Sequence, residues 1–440
     1  MLDFLILYEH KARELENDCL LKYELERRGY SVEILNIHNL KRARYLFRLK
    51  PRVILTSALY DSEDFHYHVN TIVGETNKIV NLQWEQVLSK KWLNVGFHNP
   101  KGKAAYATHI CWGQETYERL IKSGVKNPVI TGPIQTDFLQ EKFADYYLGD
   151  TEIKKMYNIK TEKVMLYISS FTLANESDEF LSVMSERIDS NVNDIKEVMA
   201  FSKRETLKWF NNILGERENI TFIYRPHPGE LIDKSLQELE SKYENFKIID
   251  EFSVKQWIVI ADKVFTWIST AIVETILANK SCGILRPVHI NDDIETLIYK
   301  GANMITTYED FKVDVDNELS KPPIEREVIL KYYDFKENEY AYERMCDLLE
   351  KVIKTDEFNI PNEVAKYRIQ FKSIIRPFLK RVVIKIGIGN KNPSILGKRM
   401  KKKVKLFWDM RKKYDLDIAS QEEIDSIINK IDKCIGNRRG

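Results

Sequence analysis

ITFIYRPHPGE, residues 220–230, decides how the rest of the chain is read. Its first half, Ile220 to Ile223, is a continuous apolar run of the kind a strand shows when both faces of its sheet are covered. Two prolines then end it, because proline fixes φ and lacks a backbone N–H for the ladder. Arg225, His227 and Glu230 are therefore presented in a stiff loop at a strand's carboxyl end. In open parallel α/β sheets, that end is where ligands bind.

Working outward, apolar runs alternate with helical patterns on both sides. Leu2–Leu7 is followed by KARELENDCLLKYELERRG, in which Leu15, Cys19, Leu20 and Tyr23 fall on one helical face and Gly29 ends the helix. SVEILNI, RVILTS, KIVNLQW, THICWG and PVITG continue the first series. KVMLYIS, ITFIYR, FKIID, KVFTW, CGILRP and NMITT form a second. Alternation of this kind implies βαβ units and parallel sheets. At 440 residues the chain is too long for one ordinary core. The expected architecture is α/β with two doubly wound Rossmann-like domains, residues 1–150 and 151–358. A basic amphipathic helical tail, residues 359–440, follows them.

Composition excludes several classes. Five scattered cysteines without a CxxC pair argue against a disulfide framework or a structural zinc site, and suit a reducing cytoplasm. The opening apolar run is too short, and lacks the basic flank, for a signal peptide. No run approaches the roughly 20 residues of a membrane span. No GxGxxG, GxxxxGK[ST], HExxH or GxSxG is present, which disfavours dinucleotide binding, P-loop kinases and several hydrolases.

A second polar strand end is TWISTAIVETIL, residues 266–277. Ser269 suits an N-cap and Thr270 the first helical turn, a setting for phosphate. Glu274, one turn on from Thr270, shares its face and suits a ribose hydroxyl. The first strand of the second series ends at Ser169 and Ser170, a further pair of hydroxyls for phosphate. Arg225, His227, Pro228, Glu230, Ser269, Thr270, Glu274, Ser169 and Ser170 are thus the expected donor-side group.

RPHP after a strand, with STxxxE opening a helix about 40 residues later, resembles bacterial glycosyltransferases of the GT-B fold. The resemblance is to enzymes of surface-carbohydrate assembly (capsule and lipopolysaccharide), namely Kdo, sialyl- and polysialyltransferases and glycerophosphate polymerases. It covers roughly residues 1–350. It implies two domains facing a cleft, a CMP- or CDP-activated donor held by His227–Pro228 and Ser269–Thr270, and a glycan or lipid-linked acceptor on the N-terminal side. The alternatives it leaves open are a polyol-phosphate transferase, a sugar-nucleotide epimerase and a non-catalytic scaffold of glycan export.

The acceptor side should supply the catalytic base. YEHKARE follows the first strand and puts Glu9, His10 and Lys11 at its carboxyl end. His10 has the right chemistry for deprotonating a hydroxyl. Asp61 in YDSEDFH, with Glu63 beside it, and Glu85 in QWEQ end later strands and compete as carboxylate bases. DVD at 314–316 and DLD at 415–417 match a DxD metal motif in letters alone, so catalysis without metal or cofactor is expected.

Charge is divided unevenly. Residues 361–440 hold 21 Lys and Arg against 8 Asp and Glu, while the remaining 360 hold 47 against 58. From Lys366 to Lys413 there are 17 basic residues and one acid, Asp409, with Ile, Phe and Trp interleaved. A basic amphipathic stretch of this kind reads as an element for an anionic membrane surface. Its aromatics form an apolar stripe rather than stacking platforms, which disfavours nucleic acid. The expected location is the cytoplasm, peripheral to the inner face of the plasma membrane.

Overall fold

A computed structural model describes residues 2–39, 43–96, 98–176, 181, 193–317, 320–369, 371–386 and 415–436. Two compact units emerge. The first gathers residues 1–86, 96–137 and 332–440, and the second residues 87–95 and 138–331.

The first unit is built on a six-stranded parallel sheet, ordered β2-β1-β3-β4-β5-β6. Its strands are β1 Leu2–Tyr8, β2 Val32–Asn36, β3 Pro51–Thr56, β4 Ile79–Asn81, β5 Thr108–Cys111 and β6 Asn127–Ile130. β1 lies inside the sheet and is almost wholly buried, as its apolar run Phe4–Tyr8 requires, with Asp3 alone partly exposed. Strand order reverses at β1, between β2 and β3, which puts a topological switch point at Glu9 and His10.

Helix α1, Lys11–Arg27, starts through a buried carboxylate. Glu14 accepts the Glu9 N–H at 2.8 Å and the His10 N–H at 3.3 Å, and Arg13 Nη2 at 2.7 Å. Two amide donors at the helix start are thereby satisfied.

The second unit carries a five-stranded parallel sheet, ordered β11-β10-β7-β8-β9. Its strands are β7 Lys163–Ile168, β8 Ile220–Arg225, β9 Phe246–Ile248, β10 Lys263–Thr266 and β11 Ser281–Ile284. The order reverses at β7, between β8 and β10. Helix α2, Asn193–Glu216, lays Phe210, Ile213 and Leu214 into an aromatic core with Tyr167, Phe222, Phe246, Phe265 and Phe311. NMITT does not add a sixth strand, and only Ile305 pairs, in a single bridge to Leu285.

Units and chain order differ from the expected division at 150 and 358. Residues 138–150 belong with the second unit, where Gln256 exchanges two hydrogen bonds of 2.8 Å with the Leu148 backbone. Residues 332–358 return to the first. Asp137 accepts the N–H groups of Ala341 and Tyr342 at 3.0 and 2.8 Å, which starts helix α4, Ala341–Lys354. Arg344 of that helix donates to the Thr131 carbonyl at 2.9 Å. Its approach requires glycine next door: at Gly132, φ +82, a Cβ would lie 2.3 Å from Arg344 Nη2 and 2.7 Å from the Asp334 carbonyl.

The tail is not a free appendage either. Ile360 and Ala365 enter the first unit's core. Helix α6, Gln421–Ile435, buries Ile424, Ile431 and Cys434 and packs on α1. Between them, α5, Phe371–Ile386, exposes Phe371, Phe378 and Leu379. The most basic part of the tail, ILGKRMKKKVKLFWDMRKK, lies outside the described residues. No described helix is long and apolar enough to cross a membrane.

Candidate functional site

Each unit brings polar groups together at the carboxyl edge of its sheet. In the second unit, β7 stands between the two motif-bearing strands. The Ser169 N–H donates to the Arg225 carbonyl at 2.9 Å, and Ser170 Oγ accepts the Ile268 N–H at 3.3 Å. The RPHP loop and the IST turn therefore open at the same end of one sheet, about 10 Å apart by the two intervening strand spacings. Ser170, Ser269, Thr270 and the half-buried Glu274 lie at this end, with Thr270 exposed.

Glu230 is not a ligand-facing group. Its side chain is fully buried and ion-paired to Lys203 at 2.9 Å, and the same Lys203 reaches Asp233 at 2.8 Å. Ser169 Oγ donates to Glu230 Oε2 at 2.5 Å, and the Tyr224 hydroxyl lies 2.7 Å from Oε1. Ser169 is buried in the same network, so both residues hold the RPHP loop rather than contact a donor. Lys203, on the long helix α2, was not legible as part of this loop's support.

The rest of the loop presents its chemistry outward. The Gly229 N–H donates to His227 Nδ1 at 3.1 Å. A neutral ring that accepts at Nδ1 carries its proton on Nε2, so exposed His227 offers a donor there. Pro228, between them, keeps the turn stiff. Arg225 is more committed than a phosphate clamp should be. Nη1 donates to the Glu251 carbonyl at 2.8 Å and Nη2 to the Phe252 carbonyl, which pins the guanidinium to the loop after β9.

At the β10 end, Ser269 Oγ accepts the Ala271 N–H at 3.3 Å, starting the short helix α3, Ala271–Leu277. Tyr299 Oη accepts the Ser269 N–H at 2.9 Å and donates to its carbonyl at 2.8 Å. Tyr299 also helps line a cavity of about 450 Å³, together with Arg286, His289 and Glu295.

In the first unit, the β1 and β4 ends meet through Arg13. Its Nη1 donates to Glu85 Oε1 at 2.6 Å, and His98 Nε2 lies 3.5 Å from Glu85 Oε2. Burial works to raise the Glu85 pKa, but Arg13 and His98 overcome it and hold the carboxyl below its ordinary range. Burial keeps His98 below its ordinary value despite Glu85. Glu85 is thus a locked anion and a weak base.

His10 shifts the other way. Asp417 Oδ2 lies 3.5 Å from its Nδ1, and this contact first, against burial and with help from Glu9, raises the His10 pKa. His10 thus has its proton affinity increased where Glu85 has it decreased, which favours His10 as a base. Asp61 is used locally, accepting the N–H groups of Glu63 and Asp64 at 2.8 and 2.9 Å as the cap of a short helix. Arg13, His98 and Asp417 were missed in the sequence. Asp417 sits in the DLD triplet set aside as a chance metal motif.

No protein-family model matches this chain, and no curated protein matches it by sequence. Solved structures do match in shape. The UDP-GlcNAc 2-epimerase of Methanocaldococcus jannaschii superposes with a TM-score of 0.51 at 12% identity, over 80% of this chain and 100% of that one. A putative UDP-N-acetylglucosamine 2-epimerase from Listeria monocytogenes gives 0.50 at 13%, over 80% and 97%. The wall teichoic acid polymerase TagF, soaked with CDPG, gives 0.50 at 13%, over 80% and 88%. Likeness at such identities is one of fold, and the chain has the GT-B fold of two Rossmann-like α/β units.

Proposed function

We propose that the protein is a glycosyltransferase of surface-glycan assembly, moving a sugar from a CMP- or CDP-type nucleotide donor to a glycan or lipid-linked acceptor without metal or cofactor. The observation that carries this reading is the pairing of two polar loops across β7, with His227 fixed as an Nε2 donor. A leaving phosphate at that edge would meet the His227 N–H and the Ser269–Thr270 hydroxyls, placed where negative charge develops. Arg225 then acts by shaping the loop after β9. His10 takes the acceptor proton.

A panel of CMP, CDP, UDP and GDP titrated calorimetrically tests it. A pyrimidine nucleotide should bind, and His227→Ala should abolish most donor turnover while leaving the melting temperature within a degree or two. Silence across the panel, or full turnover in that variant, removes the reading. The same edge would serve a polyol-phosphate transferase or a 2-epimerase; the matching structures are named as a wall teichoic acid polymerase and as UDP-GlcNAc 2-epimerases. Turnover of a nucleotide sugar without any acceptor would favour the epimerase, and release of CMP from CDP-glycerol the polyol-phosphate transferase.

Membrane docking belongs to the same proposal. Phe371, Phe378 and Leu379 exposed on α5, flanking the basic stretch, support it. Charge reversal at Lys401, Lys402 and Lys403 should lower pelleting with phosphatidylglycerol vesicles, since each basic residue contributes about 1 kcal/mol at such a surface. Unchanged pelleting would remove the basic stretch as the anchor.

A further inference from the structure

The far end of the chain reaches the switch point of the first sheet. Asp417 Oδ1 accepts the Lys11 N–H at 3.1 Å, and its carbonyl accepts from Asn36 Nδ2 at 3.3 Å. Two residues on, the Ala419 N–H donates to the Tyr8 hydroxyl at 2.7 Å. Lys11 pairs with Glu423 at 2.9 Å, and Tyr23 donates to Asp432 at 2.7 Å. This segment is thus fastened at β1, β2 and α1, with the Asp417 carboxylate against the Nδ1 edge of His10. The His10 side chain stays 54% exposed, and among the described residues no hydrogen bond to its Nε2 is found.

From this geometry we propose that Asp417 is a positioning residue: it holds the proton of neutral His10 on Nδ1, so that Nε2 faces solution as the proton acceptor. A carboxylate at one imidazole nitrogen fixes the tautomer and leaves the other nitrogen's lone pair for chemistry. The inference rests on His10 being the base of the transfer reaction. It adds that the base is completed by a residue 407 positions away, carried by a segment that follows the basic stretch.

Other charges also act on His10. Glu9 favours its protonated form and Arg13 opposes it, both from the same stretch of chain. Glu85, from the β4 loop, senses His10 as well, but Arg13 already neutralises it. His38 adds positive charge that favours the Asp417 carboxylate. Asp417 is the one group that combines charge with contact at Nδ1.

Histidine-selective NMR on the full-length chain reads the proposal directly, with His10→Gln assigning the resonance. In the wild type, the ring nitrogen shifts should report the Nδ1–H tautomer, and the Cε1–H titration should lie above the ordinary histidine value. Asp417→Asn keeps an acceptor but removes the charge, so the pKa should fall with the tautomer retained. Asp417→Ala should lose both, and Asp417→Glu should restore both. A His10 titration and tautomer unchanged in Asp417→Ala overturns the proposal, as does an Nε2–H tautomer in the wild type. Failure of the underlying reading looks different: CMP or CDP binds, yet His10→Gln turns over the donor at full rate. That result removes His10 as base, and Asp417's role with it, while the donor site stands.

Discussion

The two sheet edges solve the same problem by different means. In the second unit, the exposed groups come from two short contiguous motifs, and a buried network under one of them, Glu230, Lys203, Tyr224 and Ser169, holds the loop. In the first unit, the cluster is gathered from four separated segments: Glu9 to Glu14, Glu85, His98 and Asp417. Both edges rest on a buried, ion-paired carboxylate, Glu230 in the second unit and Glu14 in the first. The first edge adds half-exposed contacts, including a strap from the chain's end. A site's support, more than its functional groups, sets what can be changed without loss.

The sharpest break of this comparison is Lys203→Met. It strips the buried Glu230 carboxylate of its counter-charge, and removing one member of such a pair costs about 3–5 kcal/mol. Chemical denaturation should show that loss, and nucleotide affinity should fall with it as the RPHP loop loosens. A loss below about 1 kcal/mol would mean that the network is not what holds this edge.

A smaller loss is expected from Gly132→Ala in the first unit. The added Cβ meets Arg344 and the Asp334 carbonyl at a left-handed φ, so roughly 1–3 kcal/mol should be lost. Nucleotide binding by the second unit should survive at temperatures where the first is still folded. An unchanged melting temperature would show that the region after residue 332 does not depend on this close approach.

Asp18→Asn sharpens the comparison with the opposite sign. Asp18 on α1 is fully buried, neither carboxylate oxygen has a hydrogen-bond partner among the described residues, and burial raises its pKa well above the ordinary value. In the unfolded chain it ionises near pH 4, at about the ordinary value. The folded form keeps its proton longer, so wild-type stability falls as pH rises above that point. Asn does not titrate, and its own unpaired amide offsets part of the gain. The variant should be close to wild type at pH 4 and more stable by about 1 kcal/mol at pH 7. A gap that shrinks with rising pH would contradict a protonated Asp18.

Least disruptive should be Lys11→Ala. It removes a partly exposed ion pair to Glu423, which should cost under about 1 kcal/mol. The strap is fastened at several points, so no single one is expected to release it. Loss of α6 protection in hydrogen exchange on this change alone would show a strap hung from one contact.

Much of the architecture was legible in the chain because it depends on local pattern. Largely apolar runs such as Phe4–Leu7 and Ile220–Ile223 fix buried parallel strands, and Pro226 and Pro228 fix where one of them stops. Motif residues at strand ends follow, since a parallel sheet sends every strand's carboxyl end to the same edge. NMITT misled because a run of the right composition still needs an open sheet edge and several partners, and it found only Leu285. Burial also reversed two residues: Ser169 and Glu230 have the chemistry of ligand groups, yet both face inward onto Lys203 and Tyr224.

What the sequence determined by itself, then, was the alternation of strand and helix, the placing of Arg225, His227, Ser269 and His10 at strand ends, and the uneven charge of the tail. Tertiary structure alone decided which unit owns residues 138–150 and 332–365, that Glu85 is locked by Arg13, and that Asp417 stands against His10. The physical reason is range. Periodicity and turn chemistry act over a few residues and leave a mark in the sequence. A contact between residues 407 positions apart, such as His10 with Asp417, has an energy set by geometry in space, and nothing local in DLD announces its partner.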